Sequence, residues 1–189
     1  NPGLPNQSEL FDYNNFFRTN GSMIAAGYTT LSNWQVRTGQ EGHSLELDPL
    51  FVNPSIGDFH LRSTAPNGAD SIALGAWTSF ATNSPCIDTG CIHSPNYSEP
   101  APNGGIINIG AYGNTPEASL SVDTDGDGLS DTFEIYARAR RWAQYSYIPF
   151  GTSITNVDTD GDASTDYEEF VSGTDPLNAI QCFQITNLY

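Results

Sequence analysis

Residues 123–134 read DTDGDGLSDTFE, and residues 158–169 read DTDGDASTDYEE. Each stretch sets carboxylates at nearly alternate positions and should repel itself, so it reads as either a solvated loop or half of a metal site whose other half is a cation. The first fits D-x-D-x-D-G-x5-E, a spacing with which one tight turn offers a calcium ion roughly six to eight oxygens at about 2.3–2.6 Å. Asp123, Asp125 and Asp127 take positions one, three and five. Leu129 offers its backbone carbonyl, Asp131 stands at position nine, and Glu134 closes the loop as the bidentate ligand. The second loop assigns the same roles to Asp158, Asp160, Asp162, Ser164 (carbonyl), Asp166 and Glu169. It departs at position six, where Ala163 replaces the glycine of the first loop, Gly128. A left-handed backbone there costs an L-residue about 1 kcal/mol or more, so the second loop is expected to be weaker or distorted. Magnesium prefers fewer protein ligands and a smaller cage, so the expected cofactor is Ca2+, about two ions.

The charge balance favours the same partner. Asp+Glu number 22 against Lys+Arg 6, all six being arginine, for a net charge of -16. Such a chain cannot neutralise phosphates, which excludes nucleic acid and attraction to anionic membranes. No run approaches the roughly 20 apolar residues of a membrane span. Twelve of the 22 acidic residues lie between Asp123 and Asp175, and the composition shifts near Ser119, with TPEASLSV (115–122) as the expected linker. The chain opens on Asn1 without a signal-peptide core, so a mature or excised piece of a longer protein is expected. Cys86 and Cys91 flank IDTG, close enough for a small-loop disulfide that would leave Cys182 over; the residues leave that pairing open.

Before residue 120 short apolar runs alternate with Gly, Pro and Asn. HSLELDPLFVNP supplies Leu45, Leu47, Leu50 and Val52, and GDFHLRS puts Phe59 and Leu61 on one face with His60 and Arg62 on the other. No helical period of useful length appears there. Such strands suit a sandwich, a barrel or a β-solenoid. In order, DYNNFF, HSLELDPLFVNPSIGDFHLRS, SPCIDTG and EPAPNGGIINIGAYGNTPEAS resemble the C-terminal end of secreted bacterial right-handed parallel β-helix proteins of planctomycete type. The resemblance implies last rungs and a cap, with Asn14 and Asp48-Pro49 at turns and Gly110–Gly113 closing the final coil. One departure is IDTGCIHSP, where the family continues IDAGDP.

The two acidic loops, each followed by a GT-x-x-x-N turn, resemble bacterial thrombospondin type 3 repeats over about residues 121–180, with EF-hand-like calcium loops. SDTFEIYARARRWAQYS is the best helix candidate, with Phe133, Ile135, Tyr136 and Trp142 as candidate buried positions.

Catalytic chemistry finds little support. A β-helix lyase needs a basic cleft, but lysine is absent and Arg18, Arg37 and Arg62 are isolated; His43, His60 and His93 are scattered. Acids outside the loops form no pair suited to glycoside cleavage, and Asp48 and Asp88 sit where side chains ordinarily cap turn amides. Tyr13, Phe16, Phe17, Trp34 and Trp77 would more readily fill a core or cap than a sugar platform.

The expectation is a mainly β fold: terminal rungs and cap of a right-handed parallel β-helix over 1–119, two calcium repeats with short helices over 120–180, and a strand-like tail over 181–189. The expected function is a non-catalytic, calcium-stabilised extracellular or cell-surface structural protein, with self-association into filaments or a surface layer, or with neighbouring domains of a longer chain as partners. The alternatives are the non-catalytic end of a secreted polysaccharide lyase or hydrolase, or a glycan-binding module.

Overall fold

The computed structural model describes residues 12–19, 27–141, 146–149 and 151–180. The tail CFQITNLY, with Cys182, and the candidate buried residue Trp142 lie outside them. Regular elements are short: α1 (Leu31–Thr38), β1 (Phe51–Asn53), β2 (Asp58–Leu61), α2 (Asp131–Tyr136), β3 (Arg138–Arg141), β4 (Ser146–Pro149) and α3 (Asp166–Ser172). None of the described helices is long and apolar enough to cross a membrane.

Between these elements, small polar side chains hold the turns. Asn15 and Leu45 form a parallel bridge, with Phe16 N–H donating to Leu45 O at 2.9 Å and Leu45 N–H to Asn14 O at 2.8 Å. The Asn14 side chain donates to both carboxylate oxygens of Glu41, which is almost fully buried. At the Asp48-Pro49 turn, Asp48 Oδ1 accepts from Leu50 N–H at 2.9 Å, the expected capping role. Cys86 and Cys91 are free thiols. Burial pushes the Cys86 thiol up to about 11.

β1 and β2 pair antiparallel, Phe51 opposite Leu61 and Asn53 opposite Asp58, around a 3₁₀ turn at Pro54–Ile56 that Gly57 closes at φ 80°. The expected alternation on β2 does not hold. Phe59 is exposed and packs edge-on against Phe51, whereas His60 is buried. Polar contacts make that burial tolerable. His60 Nδ1 pairs with the buried Asp58 at 2.7 Å, Nε2 faces Glu117 at 3.5 Å, and Tyr112 stacks on the ring at 3.8 Å. Leu61 continues inward to a core with Cys86 and Ile87, flanked by Phe51 and Ile109.

Segment 115–122 is not a loose linker. Leu120 N–H donates to Gly68 O at 2.7 Å, Ser119 Oγ to Leu61 O at 2.6 Å, and Ser63 Oγ to Leu120 O at 2.7 Å. A second core then joins Ile106 of the preceding region to Leu129, Phe133 and Ala137, with Phe170 against it.

Two helical expectations are corrected. α1 occupies a region where no helix was expected; Thr30 caps it, Gly39 at φ 70° ends it, and Leu31 is its one buried residue, so no apolar stripe betrays it. Trp34 on α1 lies near Phe16 and Tyr28, with ring centroids 6.0 and 6.1 Å away. The long helix expected over 130–146 stops at Tyr136, because Ala137 turns extended (φ -58°, ψ 148°). The chain then forms the β3–β4 hairpin, Arg138 opposite Pro149 and Arg141 opposite Ser146.

Replacing the fully buried Ile87 by alanine is expected to lower unfolding free energy by about 2–5 kcal/mol. Val36→Ala, on the exposed face of α1, should change it by about 0.5 kcal/mol or less. Urea titration compares the two.

Candidate metal centre

Both acidic loops fold by the same rule: carboxylates accept the amides of their own turn. Asp123 takes Gly126 N–H at 2.7 Å and Gly128 N–H at 3.1 Å. Asp125 Oδ1 takes Asp127 N–H at 3.2 Å, and Asp127 Oδ1 takes Leu129 N–H at 2.8 Å. In the second loop Asp158 takes Gly161 N–H at 2.7 Å and Ala163 N–H at 2.9 Å, Asp160 takes Asp162 N–H at 3.1 Å, and Asp162 takes Ser164 N–H at 2.9 Å. These bonds curl each backbone so that its aspartates converge. Carboxylate oxygens of Asp123, Asp125 and Asp127 lie within 4.8 Å of one another, as do those of Asp158, Asp160 and Asp162.

Each loop leads into a helix that carries its closing glutamate. Ser130 caps α2 by accepting from Phe133 N–H, and Thr165 caps α3 in a reciprocal box with Glu168. On those helices Glu134 is 0% and Glu169 1% exposed. One oxygen of each meets a threonine hydroxyl, Thr152 at 3.1 Å and Thr174 at 3.2 Å. The other oxygen of each has no hydrogen-bond partner among the described residues, and the same holds for Asp125 Oδ2, Asp160 Oδ2 and Asp162 Oδ2. Leu129 is buried in the core, anchoring the first loop at the residue whose carbonyl the spacing assigns to the ion; Ser164 at the matching place is half-buried.

The position-nine aspartates do different work. Both oxygens of Asp131 accept from Thr124, from its N–H and hydroxyl each at 2.8 Å; Asp166 holds Thr159 the same way at 2.9 and 2.7 Å. They clasp the loop's entry to the helix start and stand outside the convergent triads.

Burial, with the neighbouring aspartates adding to it, raises Glu134 to about 8 and Glu169 to about 7 from an ordinary 4.5. Burial also raises Asp127, Asp160 and Asp166. Oxygen-only donors, bare buried carboxylate oxygens and converging aspartates fit a divalent hard cation, which would supply the missing positive charge.

The loops touch each other. Tyr167 N–H, at the start of α3, donates to Asp127 Oδ2 at 3.2 Å. The Tyr167 ring lies against Gly128, where a β-carbon would sit 3.4 Å from it, and Phe133 meets Phe170 edge-on at 4.9 Å.

Residues 123–137 and 158–179 match the family model described as the bacterial TSP3 repeat, a non-catalytic calcium-binding repeat found in extracellular proteins. No curated protein and no solved structure matches the chain. Both acidic loops thus match a repeat that binds calcium, and the aspartate triads of each are grouped as an ion would need.

Four threonines escaped attention as supporting residues: Thr124 and Thr159 behind position nine, Thr152 and Thr174 on the closing glutamates. Their signals were the repeated DTD and GT dipeptides.

Ala163 holds φ 80°, the strained geometry its loop demands, against 107° at Gly128. Ala163→Gly should therefore tighten calcium binding at the second loop by roughly fivefold to tenfold, about 1 kcal/mol or slightly more, in a calcium titration. In chelator, the folded chain retains protons on Glu134 (about 8) and Glu169 (about 7) that the unfolded chain, with its ordinary 4.5, has released. Stability without calcium should therefore fall as pH rises from about 4.5 through about 8. Saturating calcium should flatten that slope, which urea unfolding at several pH values can measure.

Proposed function

We propose that the chain is an extracellular, non-catalytic structural module in which calcium makes the acidic loops rigid and fixes them to the region before residue 120. The carrying observation is the pair of closing glutamates, buried with one oxygen bare on each. A protein without a cation gains nothing from that arrangement, whereas calcium turns both residues into anchors for α2 and α3. The proposed ligands are those of the loop spacing, with Asp131 and Asp166 at position nine reaching the ion directly or through water.

The first region is proposed as the last rungs and cap of a parallel β-helix. The parallel bridge at Asn15–Leu45 and the side-chain ladder beside it support this, Asn15 exchanging hydrogen bonds with Leu47 at 3.0 and 3.1 Å. Self-association through the exposed end of that stack is the proposed mode of assembly. An open hollow of about 290 Å³, lined by Asn15, Phe17, Pro49, Phe51, Cys86, Ile109 and Gly110, with Phe17 part-exposed, is the proposed contact surface. Apolar surface of this kind favours a covering neighbour, and head-to-tail contacts that do not close build filaments.

Thermal unfolding in millimolar calcium and in excess chelator tests the core of the reading. The melting temperature should drop by several degrees or more in chelator, and Glu134→Gln should remove much of the difference. Equal melting temperatures in the two conditions would sink the calcium role. Light scattering in calcium should show concentration-dependent growth; a monomer at every concentration refutes assembly and leaves the calcium role standing.

A further inference from the structure

Asp88, in the IDTG turn, is 0% exposed, and neither of its carboxylate oxygens has a hydrogen-bond partner among the described residues. It does not cap its turn as the sequence suggested. Its N–H donates to Asn108 Oδ1 at 2.8 Å, and Asn108 in turn donates its own N–H to Glu99 Oε1 at 3.0 Å and its Nδ2 to Ser119 O at 2.8 Å. Glu99 Oε1 takes a second amide, Asn114 N–H, at 2.8 Å, while its buried Oε2 has no partner. Asp88 Oδ2 stands against Gly104: a β-carbon there would fall 2.1 Å from that oxygen and 3.2 Å from Ser130 Cβ. The Ser121 and Ser130 hydroxyls lie beside its carboxylate and favour its charge, and no ion pair among the described residues involves Asp88 or Glu99. Asp88 and the free oxygen of Glu99 thus share a buried seam between the first region and the N-terminus of α2.

We propose that this seam is a further calcium site, held by Asp88 and Glu99 with the Ser121 and Ser130 hydroxyls as neutral donors. The donors are oxygen only, the chemistry of a hard cation. The Ser121 and Ser130 hydroxyls favour the charged form of Asp88 but carry no positive charge themselves, so the buried carboxylates stay uncompensated without a cation. Oxygens around a calcium stand about 3–5 Å apart, twice the metal–oxygen distance at most, so groups too distant to hydrogen-bond can still share an ion. Gly104 leaves room beside Asp88 that a side chain would take. Burial holds both acids above their ordinary range, in keeping with a missing positive charge.

The test counts ions on the full chain. After chelator stripping and equilibrium dialysis against calcium, atomic absorption should find one ion per chain beyond those lost in an Asp123→Asn/Asp158→Asn double variant. Asp88→Asn should lose that one ion and keep the loop ions. A wild-type count equal to the number of loop ions, or an Asp88→Asn chain with the wild-type count, overturns the proposal. Should Asp88→Asn fail to fold, Glu99→Gln and the wild-type count decide. The loop reading fails separately, by a double variant that binds as much calcium as the wild type.

Discussion

Glu134 and Glu169 are carboxylates enclosed by protein, each with a single threonine hydroxyl for company and a second oxygen facing other acids. Burying a charge without a counterion is among the most costly acts a fold can perform. The two acidic loops and the helices that follow them are grouped around that missing positive charge. The helices that carry the glutamates are only 6 and 7 residues long, too short to persist alone. Their caps, the threonine clasps and the Phe133–Phe170 contact all presuppose loops that stay closed. With a divalent ion in each loop, repulsion becomes the force that organises the region.

The same ions bear on the rest of the chain. Leu129 and Phe133, at the end of the first loop and on its helix, share a core with Ile106. Segment 115–122 is bonded to Leu61, Ser63 and Gly68 rather than spanning solvent. A loop that opens in chelator would therefore disturb a packed interface and not merely a tail.

How much of this could be read in advance depends on where the information resides. The loops were legible residue by residue, because calcium dictates donor spacing within one turn and the text repeats it twice. The strain at Ala163 was legible for the same reason. The threonine bonds of the position-nine carboxylates were not, since the letters do not say which side chains meet. α1 was invisible because a helix with one buried residue writes no period, and the end of α2 was missed because local propensity favours its continuation. His60 and Asp88 were misjudged because burial of a polar group depends on distant partners, Tyr112 and Glu117 in one case and Gly104 and Asn108 in the other. Whether residues before 120 stack as a solenoid is a long-range matter that short, irregular strands leave to proposal.

One methyl group gives the calcium region a direction. Ala163 carries a left-handed backbone that Gly128 adopts freely, so the two loops do not surrender their ions together as calcium thins. On the calcium reading, the strained second loop would empty first and free Glu169 of α3, and the first loop, held in the core through Leu129, would empty last. The repeats would then unravel from the second toward the first.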